Sequence, residues 1–315
     1  MRSYSLDDVH AARKRRDSWW TVYLVDPLAC RTALLVANRT RITPNELTVL
    51  SLVIGLVSAV CFALDLLVAG AAAFYLSFMV DCVDGKIARL KGTGTPFGLW
   101  LDYVGDRVRV VLCATGLAYG QYALTGDVRF ILLGAGVAVL DLFRYVNAPQ
   151  MKRVREIIRE ARIEAAELRE AARVWHRDYA TAVREPVLDL RITDEPSLGE
   201  GDDEPVGGAA VDDDEAVEHV VAAARRRGRN RKFSRRLNRY LARRRIRTHV
   251  ISGIEFHAAV FVVAPVIGVA ALVPVSAVAG VLLLANEIFL VHRMWRFTRR
   301  HTVSSRQESR EHVLV

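Results

Sequence analysis

Residues 79–111, MVDCVDGKIARLKGTGTPFGLWLDYVGDRVRVV, hold the stretch on which the reading turns. Four aspartates, Asp81, Asp84, Asp102 and Asp106, fall inside or beside apolar runs. An aspartate near the centre of a spanning helix costs about 2.5–3.5 kcal/mol on insertion scales, so such residues default to function. At 100° per residue, Asp81, Asp84, Gly85 and Ala88 lie within about 100° of one helix face. Asp102 and Asp106 are one turn apart on the next helix, with Gly98 one turn before Asp102. The short link through Gly92, Gly94 and Pro96 makes the two helices antiparallel neighbours. Four carboxylates then share one space near the cytoplasmic end. Like charges that close need cations to stay ionised. One or two hard divalent ions, Mg²⁺ or Mn²⁺, with oxygen ligands are the economical solution. Metals held by carboxylates suit phosphoryl transfer. A set of proton- or ion-relay carboxylates in a transporter or signalling protein is the competing reading. Ala88, Arg89 and Gly98 speak against it, because ion transport does not require them.

Working outward, six apolar runs are long enough to cross a bilayer: about 45–65, 67–88, 98–120, 129–148, 249–272 and 275–294. The first opens at Thr43-Pro44-Asn45 followed by Glu46, a helix-start pattern. Only Asp65 and its neighbours separate the first two runs, so those helices form a tight hairpin. The fold class is therefore an all-α polytopic membrane protein. Its segments are 1–44 (a cytoplasmic or interfacial piece), 45–148 (four spans), 149–248 (a charged insert), 249–294 (two spans) and 295–315 (a tail).

Composition agrees. The 315 residues are 52% hydrophobic and 25% charged, with net charge +9. A mean hydropathy of +0.17 beside that much charge means the two kinds of residue are segregated. Collagen, a small disulfide scaffold and a wholly disordered chain are excluded. Cys30, Cys61, Cys82 and Cys113 have neither a framework nor zinc-site spacing. The polar, charged opening residues do not read as a cleavable signal peptide.

Lysine and arginine set the orientation. Arg13 to Arg16, Arg31, Arg39 and Arg41 precede the first span, and Arg89 and Lys91 lie in the second connection. The insert is rich in arginine, and Arg293, Arg296, Arg299 and Arg300 follow the last span. The other connections hold at most Arg129. Six spans put every basic segment on one side, which places both termini and the carboxylates at the cytoplasmic face of the inner membrane. Residues 8–24 join a basic cluster to Trp19, Trp20 and Tyr23, which reads as an amphipathic interfacial helix. Within the insert, 150–180 reads as a long charged helix with pairs such as Glu156–Arg159 and Glu170–Arg173. Residues 194–218 read as an acidic disordered linker, and 225–247 as a polybasic run. Because that run abuts a span, anionic membrane lipid is its favoured partner, and nucleic acid is not expected.

The pattern Asp81-x2-Asp84-Gly85-x2-Ala88-Arg89-x8-Gly98-x3-Asp102-x3-Asp106 resembles the CDP-alcohol phosphotransferase signature at every fixed position. The resemblance covers about 40–148 and 249–294, and the insert is longer than in compact members. It implies metal-dependent transfer of a phosphatidyl group from a CDP-linked donor, usually CDP-diacylglycerol, to an alcohol hydroxyl, with CMP released. It implies Asp81, Asp84, Asp102 and Asp106 as metal ligands, with Asp106 also the general base. Asp84, Gly85, Ala88, Arg89 and Gly98 would contact the nucleotide. A homodimer is expected. Candidates for the acceptor pocket are Arg109, Asp141, Arg144, Glu255, His257 and Glu287. Arg144 also reads as a snorkelling helix-end residue. Glu255 and His257 also read as interhelical polar contacts. Arginines would favour a phosphorylated acceptor such as inositol phosphate or glycerol phosphate, and glutamates a neutral polyol or an amine. Both are present, so the acceptor stays open.

Overall fold

The computed structural model describes residues 3–188, 240–241, 244–246 and 252–311. The acidic linker 194–218 lies outside the described residues, as does the basic run 225–247 apart from 240–241 and 244–246. The chain divides into two units, Met1–Gln150 with Leu237–Val315, and Met151–Arg236.

Among the described residues the secondary structure is helical: α1 Leu6–Ala11, α2 Asp26–Arg39, α3 Pro44–Ala63, α4 Leu67–Lys91, α5 Pro96–Thr125 and α6 Val128–Leu188. The apolar helix α7 Gly253–Ile267 and then α8 Val269–Glu311 complete the order. Local chemistry explains the boundaries. Thr43 and Glu46 form a reciprocal capping box at the start of α3, with Pro44 in its first turn. Thr95 accepts from Gly98 N to start α5, again with a proline in the first turn. Gly92 ends α4 in the left-handed region (φ 67°), which a residue with a Cβ adopts only at a cost.

Four helices are long and apolar enough to cross a membrane: Pro44–Ala63, Leu67–Lys91, the first part of α6, and Val269–Arg296. α5 carries Asp102, Asp106, Arg107 and Arg109, and α7 is short. The break between the last two apolar helices differs from the sequence expectation. It falls at Gly268, whose φ of 119° an L side chain rarely adopts, not between 272 and 275. Pro274 is accommodated inside α8. Residues 8–24 are also not one helix. α1 ends at Ala11, and helical structure resumes only at Trp19. Asp17 and Ser18 punctuate the gap: the Asp17 carboxylate accepts from Ser18 N at 2.9 Å, and Ser18 Oγ accepts from Thr21 N at 3.1 Å. Finally, the fourth apolar run and the charged stretch after it belong to one continuous helix, α6.

In the first unit, α3 packs between α4 and α5. Phe62, Phe74 and Phe261 meet in the core, with Phe74 and Phe261 ring centroids 4.7 Å apart. α3 and α5 touch backbone to side-chain position: a Cβ on Gly116 would lie 2.3 Å from the Ala59 carbonyl oxygen. Gly116→Val should therefore force α3 and α5 apart and cost about 1–3 kcal/mol. Gly136→Ala, where a Cβ would meet nothing within 4 Å, should leave stability unchanged or slightly raised. Thermal unfolding of the two purified variants in detergent checks the contrast.

Candidate active site

The turn at Gly92 to Thr95 folds α5 back along α4 and brings the two halves of the motif together. Carboxylate oxygens of Asp81, Asp102 and Asp106 lie within 4.8 Å of one another. Asp84, 5% exposed, is not one of this trio, and its Oδ2 accepts from the Thr48 hydroxyl of α3. All four aspartates line a cavity of about 660 Å³. Gly85, Ala88, Arg89 and Gly98 line it too.

The motif's small residues have distinct surroundings. A Cβ on Gly85 would lie 3.3 Å from an Arg89 guanidinium nitrogen, so the glycine leaves room for that side chain along α4. Arg89 Nε donates to the Ala12 carbonyl at 2.7 Å. Gly98 faces α3: a Cβ there would lie 2.3 Å from Asn45 Oδ1. A side chain there would displace the Asn45 amide at the cavity edge.

Arg109 lies between the carboxylates. It is 4% exposed, donates to Asp106 Oδ1 and Ser77 Oγ, and approaches Asp81 Oδ1 at 3.4 Å. Arg107 pairs with Asp141, comes within 3.8 Å of Asp106, and stacks its guanidinium 4.3 Å from the Tyr145 ring centroid. Asp141 is fully buried and its Oδ1 lies 2.8 Å from His257 Nε2. Arg109 thus bridges Asp81 and Asp106, and Arg107 bridges Asp106 and Asp141. Three hard oxygen donors at this spacing fit a divalent cation. The donor set and its charge therefore suit the Mg²⁺ or Mn²⁺ expected from the sequence.

The proposed acceptor residues divide. Arg109, Arg144 and His257 line the cavity. Glu255 and Glu287 are not among its lining residues. Glu255 is the third residue of α7 and caps its start, with Ser252 N donating to Oε2 at 2.8 Å. Glu287 accepts from Asn147 Nδ2 at 2.9 Å and faces Arg144 Nε across 3.8 Å.

Several lining groups have no signal in the sequence. Thr48 comes from α3, and Arg107 is one of many arginines. Lys86 pairs with buried Asp26 at 2.8 Å, and Arg245 reaches the same carboxylate at 3.2 Å. Arg245 also donates to the Lys14 carbonyl at 2.6 Å, while Asp17 N donates to the Arg245 carbonyl at 2.8 Å. Residues 12–17 are thereby tied beside the cavity by Arg89 on one side and Arg245 on the other. The basic residues Arg13 and Lys14 consequently line the cavity. Their sequence reading as a surface cluster missed this placement, because it depends on partners 77 and 231 positions away.

An all-helical chain with apolar helices and a carboxylate cluster in one cavity is an integral membrane protein by its helices and a candidate metal-assisted enzyme by its site. Residues 41–160 match the family model described as CDP-alcohol phosphatidyltransferase. A bifunctional IPC transferase and DIPP synthase of Aquifex aeolicus is 40% identical over 67 residues, 21% of this chain and 15% of the relative. An archaetidylinositol phosphate synthase of Pyrococcus horikoshii is 32% identical over 92 residues, 29% of this chain and 48% of the relative. The chain thus spans less than half the length of either relative. The crystal structure of Mycobacterium tuberculosis phosphatidylinositol phosphate synthase with CDP-DAG bound matches at 25% identity and a TM-score of 0.35, over 41% of this chain and 63% of that one.

Proposed function

We propose that this chain transfers a phosphatidyl group from a CDP-linked lipid, CDP-diacylglycerol, to the hydroxyl of an alcohol and releases CMP. The observation that carries the reading is the meeting of Asp81, Asp102 and Asp106 within 4.8 Å at the wall of a cavity. Asp81, Asp84, Asp102 and Asp106 are the residues that would hold one or two divalent ions. Bound there, Mg²⁺ or Mn²⁺ neutralises the diphosphate and stabilises the leaving CMP.

The chain's own groups do the rest. Arg89, with Arg13 and Lys14 beside it at the cavity, binds donor phosphate oxygens. Gly85 and Ala88 leave the nucleotide room along α4. The Asp106 carboxylate takes the acceptor's hydroxyl proton as the new oxygen–phosphorus bond forms and the bond to CMP breaks. Arg109 fixes the Asp106 carboxylate and keeps it turned toward Asp81. The apolar surroundings of α4 and α5 admit the donor's acyl chains from the bilayer. The distribution of lysine and arginine supports six spans with both termini and the cavity on the cytoplasmic side.

The acceptor is a phosphorylated polyol. Arg107, Arg109, Arg144 and Arg245 all line the cavity, each beside a carboxylate, whereas the two glutamates that would suit a neutral polyol or an amine are not among its lining residues. The name of the Pyrococcus horikoshii relative, an archaetidylinositol phosphate synthase, points the same way. Purified protein in mixed micelles should form CMP from CDP-diacylglycerol when inositol phosphate or glycerol phosphate is supplied, with the lipid product named by mass spectrometry. CMP formation with the unphosphorylated polyols alone would overturn the acceptor assignment. Absence of CMP with any acceptor would overturn the transferase.

A further inference from the structure

The second unit begins with the charged part of α6, which the transfer reaction does not use. Nine of its apolar residues fall on one repeat, while Ile157, Ile163, Ala166, Ala171 and Val174 lie off it. Met151, Val154, Ile158, Ala161, Ala165, Leu168, Ala172, Trp175 and Tyr179 are spaced alternately by three and four residues. These are the a and d positions of a heptad pattern sustained over four repeats, and all nine are apolar. Of the positions between them, most are charged. A 3.5-residue period of this length is the sequence of a helix that wraps around another helix.

Among the described residues the outer part of this seam is exposed. Leu168, Trp175 and Tyr179 are 66%, 63% and 59% exposed. Trp175 and Tyr179 stack on each other along the seam, at 5.5 Å and 13°. Large aromatic residues left in water on one line of a charged helix signal a missing partner.

We propose that the seam is covered by the same seam of a second copy of this chain, as a parallel two-stranded coiled coil. Charge complementarity selects this partner and this direction. In the register above, Arg155, Arg162, Arg169 and His176 fall at e, and Ile157, Glu164, Ala171 and Asp178 at g. A parallel pair sets Glu164 of each copy against Arg169 of the other. An antiparallel pair would set Arg162 against Arg169 instead, a like-charge contact made twice. Sequence order gives the same direction. The repeat follows directly on the apolar run 129–148, so two copies in one membrane send their arms out the same way. The three alanines at Ala161, Ala165 and Ala172 let the helices approach closely, and the large residues at each end close the seam. The arm therefore holds two copies together independently of the catalytic cavity.

Cysteine cross-linking of the full-length protein in membranes tests this. Val154→Cys, Leu168→Cys and Trp175→Cys each place a thiol at a d position, and Glu156→Cys, Glu170→Cys and Arg177→Cys place one at f. Mild oxidation should give a covalent dimer several-fold stronger for each d variant than for the f variants and the unsubstituted protein. Efficient linking at Leu168→Cys with none at Val154→Cys and Trp175→Cys would show antiparallel arms and overturn the direction. Equal linking at d and f positions would overturn the coiled coil. So would no linking while Leu168→Cys resists maleimide, since another helix then covers the seam. The charge pair gives a second arm. Glu164→Arg and Arg169→Glu should each weaken the Leu168→Cys link, and the two changes together should restore it.

Discussion

Asp106→Asn should insert normally and still bind the CDP-linked donor, while transfer falls by roughly 10²–10⁴, the usual contribution of a general base. Asparagine keeps the size and one oxygen but cannot take the hydroxyl proton. The structure adds a complication that the experiment must separate. Asp106 Oδ1 holds Arg109, and the same arginine approaches Asp81 at 3.4 Å. Removing the charge lets Arg109 turn to Asp81. Donor binding, measured with a non-transferable CDP-lipid, distinguishes the outcomes. Unchanged donor affinity with lost turnover supports the base. Turnover restored by high Mg²⁺ would make Asp106 chiefly a ligand and remove it as the base.

The second large effect is expected at Asp81. Asp81→Asn should abolish detectable transfer at ordinary Mg²⁺ and raise the metal concentration needed for half-maximal rate, because it removes one of three oxygens that meet within 4.8 Å. The native protein should lose all CMP formation in EDTA and regain it with Mg²⁺ or Mn²⁺. Titrating the ion for wild type, Asp81→Asn and Asp106→Asn on one scale makes the contrast quantitative. Full activity in a chelated preparation would sink the metal-assisted reading. An unshifted titration for Asp81→Asn would show that this carboxylate serves Arg109 rather than a cation. Thr48→Val is a milder companion, since it frees only the Asp84 oxygen that the hydroxyl holds.

Much of the site was legible before any coordinates, and the reason is local. Asp81, Asp84, Gly85 and Ala88 sit on one face because an α-helix has a fixed pitch. The two halves of the motif meet because the link between α4 and α5 is too short for anything but a reversal. Capping residues such as Thr43 and Glu46 are also local, so they marked where the first span begins. The misplaced boundary at 272–275 has a local cause too. Pro274 looks like a break in the sequence, yet in an apolar helix neighbouring groups tolerate it, while Gly268 takes a backbone conformation closed to other residues.

By itself the sequence determined an all-helical membrane-type chain, a carboxylate cluster on two neighbouring helices and a long charged helix after the fourth apolar run. Each follows from periodicity or spacing along one segment, and helix geometry turns such patterns directly into faces. Only the tertiary structure decided which charges meet across segments. It placed Arg109 between Asp81 and Asp106, gave Asp84 to Thr48, and engaged Glu255 and Glu287 away from the cavity. It also drew residues 12–17 to the cavity through Arg89 and Arg245. An arginine can pair with any carboxylate within reach, so its partner is set by which helices pack together, and that depends on the whole core rather than on any one stretch of chain.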